Sequence, residues 1–546
     1  MLRVTGAARV YADRTIFEDV TLDVGAGDCL ALIGENGSGK STLLRLLAGL
    51  DAPDAGTVTR TGRVALLAQD ETPAEGTVLD AVTPTALRQA RAAFEHASAD
   101  LGTGTDEAFQ AFAEAEEHYR LCGGYDFEAR AGAVLAGLNL DGAARATQLS
   151  GGQTRRALLA RLLLDPAEVY LLDEPTNHLD ADGAAWLEGW LRASGAAFVL
   201  ASHDRAFLDA VATRTAELER GELHEYPGGY SEAMTLKATL REAQARDYAA
   251  YQRKRTALRQ EQGRLRSAGE SAGHFNLRRA GNVPLIAAKN KASQVSKTLA
   301  GRSRALERQL DRLEDAAVDK PYADHRAVRL DLPPAPPGPA EVLTAQHLSV
   351  ARSDHEVLSG VALHVRRGDR VVLTGPNGGG KSTLLRALLG ELPHSGTVRW
   401  GQGLTLYVAG QGGEELYGLA TVGDALLAAN PALTPHQLHE VAAGLQVPGG
   451  PQFPLSTLSG GQRTRLSLAR LRVTRAQVLV LDEPTNHLDV RAIEALEGLL
   501  ADYPGTVLLA THDRALTRRV ATRRWQVESS TVKELDVTAS GHLDPG

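Results

Sequence analysis

Residues 34–41 read GENGSGKS and residues 375–382 read GPNGGGKS, two matches to GxxxxGK[ST]. A loop of this kind holds phosphate: glycines let backbone N–H groups wrap an anion, and the helix that follows presents its positive end. The candidate ligands in the first loop are Gly34, Asn36, Gly37, Gly39, Lys40, Ser41 and Thr42. In the second they are Gly375, Asn377, Gly378, Gly380, Lys381, Ser382 and Thr383. Lys40 and Lys381 would reach the β and γ phosphates of a nucleotide, and the Ser41 and Ser382 hydroxyls would ligate magnesium. Each loop sits between an apolar strand-like run (CLALI, VVLT) and a helix-forming one (STLLRLLAGL, STLLRALLG). One such match could be a fortuitous Gly-rich turn; two in the same context are not.

VYLLDEP (169–175) and VLVLDEP (478–484) supply the carboxylates. A continuous apolar run is what a parallel strand covered on both faces requires. Asp173 and Asp482, at the ends of those strands, suit a magnesium partner. Glu174 and Glu483 come next and are expected on the opposite side of the strand, where a general base would orient water.

These elements belong to a duplication. LSGGQ starts at Leu149 and at Leu458, LDEPTNHLD spans 172–180 and 481–489, and ASHDRA at 201–206 is echoed by ATHDRA at 510–515. Four motifs in one order mark a repeated domain. The expected organisation is a first domain over 1–230, a segment over 231–325, a connector over 326–340 containing PPAPPGP, and a second domain over 341–546. The first domain has about 33 more residues than the second between its loop glutamine and LSGGQ, placing a helical insertion at about 75–125. A length of 546 residues, 43% of them hydrophobic and 23% charged, fits several globular domains. Two cysteines exclude a disulfide framework, and no apolar run reaches the roughly 18–20 residues that cross a bilayer.

The set of phosphate loop, LSGGQ, LDEP and a later histidine resembles the ATP-binding cassette (ABC) ATPases, and EPTNHLD in both halves resembles their F subfamily. The resemblance implies an α/β fold with two P-loop ABC ATPase domains in tandem, joined by a long α-helical hairpin. It also implies cofactors ATP and Mg2+, with two ATP held head to tail between the cassettes. One site would combine Lys40, Ser41, Gln69, Asp173, Glu174 and His203 with Ser459, Gly460, Gly461 and Gln462. The other would combine Lys381, Ser382, Gln411, Asp482, Glu483 and His512 with Ser150, Gly151, Gly152 and Gln153. Gln69 and Gln411 match the glutamine that senses magnesium and the attacking water, and His203 and His512 the histidine that contacts the γ-phosphate. Tyr11, 23 residues before Gly34, matches the aromatic that stacks on adenine. Arg352 stands at the equivalent place in the second half, so a weaker adenine stack is expected there.

The connecting segment carries the charge asymmetry. Between Lys237 and Asp315 the net charge is +10, and the rest of the chain carries −18. LKATLREAQARDYAAYQRKRTALRQEQGRLR has apolar residues at seven-residue spacing (Tyr251, Leu258, Leu265), mirrored by Leu299, Leu306 and Leu313, with Leu310 beside them. Two such helices can pair as an antiparallel hairpin, and about 30 helical residues would project some 45 Å. SAGESAGHFNLRRAGNVPLIAA (267–288) reads as the tip, with Phe275, Arg278, Arg279 and Leu285. Basic flanks and an apolar end suit RNA. By resemblance the hairpin enters the tRNA exit site of the 70S ribosome and meets rRNA and P-site tRNA, as in antibiotic-resistance members of actinobacteria. A cytoplasmic monomer without a membrane domain is expected. The alternatives are a housekeeping translation factor of the same subfamily, the soluble ATPase of a drug exporter, and a DNA-processing ATPase.

Overall fold

The computed structural model describes residues 1–11, 14–67, 76–273, 285–317, 320, 338–352, 355–410, 416, 418–445, 447, 449–486 and 488–535. The first repeat opens with β1 (Leu2–Tyr11), β2 (Arg14–Val24), β3 (Cys29–Ile33), α1 (Lys40–Ala48), β4 (Ala55–Arg60) and β5 (Val64–Leu67). Five helices follow: α2 (Val78–Val82), α3 (Thr85–Asp100), α4 (Asp106–Leu121), α5 (Phe127–Gly137) and α6 (Gly151–Leu164). Then β6 (Val169–Asp173), α7 (Ala181–Ala193), β7 (Ala197–Ala201), α8 (Arg205–Val211), β8 (Arg214–Glu219) and β9 (Glu222–Pro227) complete the repeat.

A six-stranded sheet in the order β5-β6-β7-β3-β8-β9 forms its centre. All neighbours are parallel except β8 and β9. All five residues of β3, of β6 and of β7 are buried, as a two-sided parallel strand demands. Each buried Leu or Val contributes roughly 1.5–3 kcal/mol. Register lines up the ends that matter: Ala201 pairs with Asp173 on one side and with Leu32 on the other. The exits of β3, β6 and β7 therefore lie side by side at the carboxyl edge of the sheet, where open α/β sheets place their ligands. A second, antiparallel sheet, β2-β1-β4, packs its buried face with the core leucines of α1. The helices α3 and α4 fall within the insertion expected at about 75–125, and Phe94 stacks on Tyr119 there with centroids 5.2 Å apart.

Two long helices follow, α9 (Tyr230–Gly273) and α10 (Leu285–Asp315). The chain resolves into two compact units, Met1–Ala233 with Val328–Gly546, and Met234–Ala327. Within the second unit α9 and α10 run antiparallel: Arg255 and Arg259 meet Glu314 at 3.1 and 2.8 Å, and Ser296 Oγ donates to Gly269 O at 2.9 Å. Apart from Gln252, positions 251, 255, 258, 262, 265 and 269 are the partly or fully buried ones between 251 and 270, a 4-3 spacing that makes a coiled-coil seam. Leu299, Leu306 and Leu313 are half-buried opposite, and Leu310 is buried. Both helices reach further into the 267–288 segment than the sequence suggests. Ser267–Gly273 and Leu285–Ala288 are helical, because Gly269 lies against Leu299 Cβ, 3.5 Å from where its own Cβ would stand, and this close packing offsets the helix cost of glycine. Residues 274–284, with Phe275, Arg278 and Arg279, lie outside the described residues, as does most of PPAPPGP.

The second repeat has β10 (Glu341–Arg352), β11 (His355–Arg366), β12 (Arg370–Thr374), α11 (Lys381–Leu388), β13 (Ser395–Trp400) and β14 (Leu406–Ala409). Then come α12 (Val422–Ala429), α13 (Pro435–Gly444), α14 (Gly460–Val473), β15 (Val478–Asp482), α15 (Val490–Asp502), β16 (Thr506–Ala510), α16 (Arg514–Val520), β17 (Arg523–Glu528) and β18 (Thr531–Leu535). Its sheet order, β14-β15-β16-β12-β17-β18, reproduces the first strand for strand.

Candidate active site

The two phosphate loops leave the central strands β3 and β12. Gly34 has φ +155°, and a Cβ there would stand 2.6 Å from Leu218 O; at Gly375 (φ +140°) it would stand 2.2 Å from Val527 O. Only glycine lets the loop pass so close to the neighbouring strand. Both helices that follow start on a left-handed glycine, Gly39 or Gly380, with no side-chain cap on their first N–H groups. Those unspent donors, with the positive end of the helix, face the loop. Lys40 is buried and donates to Gly34 O (2.8 Å) and Glu35 O (3.2 Å); Lys381 does the same to Gly375 O (3.0 Å) and Pro376 O (3.1 Å). Burial lowers the pKa of both ammonium groups, opposed by the carboxylates of Glu174 and Glu483. Ser38 Oγ is buried with no hydrogen-bond partner among the described residues. Uncapped amides, a bent ammonium and an orphaned hydroxyl fit a nucleoside triphosphate. Ser382 Oγ donates to Asp482 Oδ1 at 3.0 Å, bringing together a hydroxyl and a carboxylate that suit magnesium.

Glu174 and Glu483 do not reach the site by strand alternation. Each lies just past its strand in a left-handed turn, φ +52° and +50°. Their backbone N–H groups donate to Ala201 O (2.7 Å) and Ala510 O (2.9 Å). The turn, a strained conformation for a non-glycine residue, aims each carboxylate at the histidine beyond the adjacent strand. Glu174 Oε1 is 3.3 Å from His203 Nε2, and Glu483 Oε1 is 3.3 Å from His512 Nε2. Burial pushes Glu174 up to about 8 against the pull of Lys40, and Glu483 up to about 7 against the pull of Lys381. Burial and the same lysines push His203 and His512 down to about 4, so both imidazoles are neutral near pH 7. Each site thus pairs a carboxyl group poised near neutral pH with an uncharged imidazole, the arrangement a general base for water requires.

Ser150 and Ser459 cap α6 and α14 through reciprocal capping boxes with Gln153 and Gln462. A cavity of about 1540 Å³ is lined by Lys381, Ser382, Glu483 and His512 from the second repeat and by Ser150, Gly152 and Gln153 from the first. It brings together seven of the ten residues expected to form one composite site, without Gly151 and Asp482 in its lining and with Gln411 outside the described residues, and it extends to Asn36 and Gly460, expected in the other. Tyr11 is 46% exposed, with the Arg9 guanidinium 4.8 Å from its ring centroid. Gln69, Gln411 and the side chain of Arg352 lie outside the described residues.

A family model described as ABC transporter matches residues 17–177 and 358–486. The tylosin resistance ATP-binding protein TlrC of Streptomyces fradiae is 35% identical over 546 residues, 95% of each chain. The energy-dependent translational throttle protein EttA of Mycobacterium tuberculosis is 30% identical over 533 residues, 94% of this chain and 89% of that one. The chain belongs to the F branch of the ATP-binding cassette family. It is an ATPase with two cassettes in tandem. Its fold is shared with the archaeal ribosome recycling factor aABCE1, crystallised with the ribosomal stalk protein aP1, at a TM-score of 0.59 and 17% identity over 97% of this chain and 89% of that one.

The cassettes meet through residues outside the sites predicted from the sequence. Asp489 caps α15 through Ala492 N (2.9 Å) and also accepts from Asn36 N of the other cassette's phosphate loop (3.3 Å). Asp180 likewise caps α7 through Gly183 N (3.0 Å) and accepts from Asn377 N (3.4 Å). His178 O accepts from Asn377 Nδ2 at 2.9 Å. Arg205 pairs with Glu497, and Arg514 with Glu188 at 3.0 Å, two salt bridges related by the internal repeat. The terminal aspartate of the doubled LDEPTNHLD string was the available signal for the first pair. Nothing in one cassette read alone points to the salt bridges, which exist only across the interface. Among the described residues no helix is long and apolar enough to cross a membrane.

Proposed function

We propose that this chain is a ribosome-binding ATPase that inserts its interdomain hairpin into the tRNA exit site and protects translation against ribosome-targeting antibiotics, with hydrolysis driving release. The observation that carries the reading is the charge of the hairpin segment: residues 237–315, which include most of the paired helices α9 and α10, carry +10 in a chain otherwise at −18. Such a rod suits a polyanion, because its cations release counterions from phosphates. The name of the relative EttA, a translational throttle, supports a partner in translation, and that of TlrC, which concerns tylosin resistance, supports the antibiotic part of the reading.

In this reading bound ATP and Mg2+ supply the hydrolysable phosphoanhydride and the charge that offsets its negative oxygens. Lys40 and Lys381 leave their own loop carbonyls to grip the β and γ phosphates. Ser41 with Asp173 and Gln69, and Ser382 with Asp482 and Gln411, would hold the metal. Glu174 and Glu483 accept the proton of the attacking water while His203 and His512 contact the γ-phosphate. Ser459–Gln462 and Ser150–Gln153 close the first and second sites from across the interface, and Tyr11 stacks on adenine.

The test is sedimentation with 70S particles, membranes and plasmid DNA, each with a non-hydrolysable ATP analogue and with ADP. Binding to ribosomes that needs the triphosphate, falls steeply with salt and persists in the Glu174→Gln, Glu483→Gln double variant with ATP is expected. Nucleotide-independent binding, or preference for membranes or DNA, refutes the reading. The similarity to EttA favours a second reading, a translation factor without drug protection. Inhibitory concentrations of macrolides, lincosamides, pleuromutilins and phenicols, measured with and without the gene, separate the two.

A further inference from the structure

Helix α15 touches the first nucleotide site at one end and the root of the hairpin helix a turn later. Its capping residue Asp489 accepts from Asn36 N, and the Asn36 side chain lies 3.2 Å from His203 Nε2, itself 3.3 Å from Glu174. Arg491, in the first turn, pairs with Glu35 of the same loop (2.6 Å) and with Glu219 of β8 (2.6 Å). Three residues further on, Glu494 accepts a hydrogen bond from the hydroxyl of Tyr230, the first residue of α9, at 2.7 Å. Asp489 to Glu494 is five residues, about 7.5 Å of helix. Tyr230 is 5% exposed, and its acceptor Glu494 also lies 3.8 Å from Arg205 Nη1 of α8.

The same root is fastened to the first cassette by a different bond. Ser231 donates to Asp209 of α8 from its N–H (2.7 Å) and its hydroxyl (2.5 Å). The start of α9 therefore holds one cassette through Ser231 and the other through Tyr230. Cassette motion that changes the first site must stretch or release one of the two.

The internal repeat supplies the control. Aligning LDADGAAWLEG with LDVRAIEALEG sets α7 against α15, Asp180 against Asp489 and Glu188 against Glu497. The pairs that lock the interface symmetrically are kept. Arg491, however, faces Asp182 in this alignment, and Glu494 faces Ala185. Helix α7, which touches the second site through Asp180, has no carboxylate at the place that binds Tyr230.

We propose that α15 is a one-sided transmission element: the Tyr230–Glu494 hydrogen bond couples the nucleotide state of the first site, and not of the second, to the root of the hairpin. Tyr230 and Glu494 are positioning residues; neither touches the nucleotide loops. The inference rests on the reading that the hairpin is the working arm, but its test needs no ribosome.

Amide hydrogen exchange over the first turns of α9 is followed in the full chain, with and without a non-hydrolysable ATP analogue. In the wild type, nucleotide slows exchange there. Lys40→Ala abolishes that response and Lys381→Ala leaves most of it. Tyr230→Phe, which keeps the ring packed, reduces the response by about threefold to tenfold, the worth of one net hydrogen bond, while ribosome-free ATPase activity stays within about twofold. Glu494→Gln, which keeps an acceptor, retains more of the response than Glu494→Ala. A full response in Tyr230→Phe, equal loss in the two lysine variants, or no response in the wild type overturns the proposal. If α9 responds as described but no variant binds ribosomes, the coupling stands and the ribosome reading falls.

Discussion

Replacing Glu174 by Gln should stabilise the nucleotide-free protein at alkaline pH, although it removes the proposed catalytic base. The carboxyl group is buried beside Asp173, with burial the dominant cause and Lys40 only partly opposing it, and it titrates at about 8 where an unfolded chain titrates at 4.5. The folded state thus holds this proton more tightly than the unfolded one. Its contribution is favourable below about 4.5, is lost as pH rises through the window from 4.5 to about 8, and leaves the full penalty above it. At about 1.4 kcal/mol per pH unit the whole excursion amounts to about 5 kcal/mol, and relaxation around the charge brings the expected gain to about 2–5 kcal/mol. Gln occupies the same volume and the same left-handed turn at no new backbone cost. Urea unfolding of wild type and Glu174→Gln at pH 5, 7 and 9, without nucleotide, measures it. The two should be nearly equal at pH 5, and the variant increasingly more stable towards pH 9. A gap that stays constant with pH, or a variant less stable at pH 9, would show that the carboxylate is not held uncharged by burial.

The Glu483→Gln variant should behave in the same way over a narrower window, closing at about 7. The kcat/KM of the wild-type ATPase should rise with pH through about 7 to 8 as the two carboxyl groups of the free protein lose their protons, with the histidines already neutral; a flat pH profile of kcat/KM would argue against the glutamates as bases. Glu497→Ala leaves the largely buried Arg205 guanidinium with only the half-exposed Glu494, 3.8 Å away, and should cost about 2–4 kcal/mol in thermal or urea unfolding, whereas an exposed pair such as Arg3–Asp23 should cost under about 1 kcal/mol. Ser150→Ala should remove about 1 kcal/mol of capping from α6, visible as a lowered unfolding midpoint, and should also slow hydrolysis at the second site.

Much of the site was legible because its chemistry is local. A phosphate loop needs glycines, a lysine and a hydroxyl within eight positions, so Gly34–Ser41 and Gly375–Ser382 announce themselves. The strand strings CLALI, VYLLD and VLVLD appear in the structure with the bounds their apolar runs suggest, since a two-sided parallel strand leaves no polar register inside it. The seam through Tyr251, Leu258 and Leu265 followed from seven-residue spacing. Illegible were the left-handed turns at Glu174 and Glu483, where alternation suggested a pleated strand and packing against Ala201 and Ala510 imposed a turn. The helical state of Ser267–Gly273 was also hidden, because its glycines favour a turn until α10 is there to pack against Gly269.

Read alone, the sequence determined two copies of one nucleotide-binding machine, the identity of their reactive side chains, and a basic coiled segment between them. Periodicity and motif spacing encode these within tens of residues. Tertiary structure decided what lies across the repeat: Asp489 on the loop of the first site, Arg205 on Glu497, Tyr230 on Glu494. Those partners stand more than 250 positions apart, and burial and charge pair them only after both cassettes have folded and met.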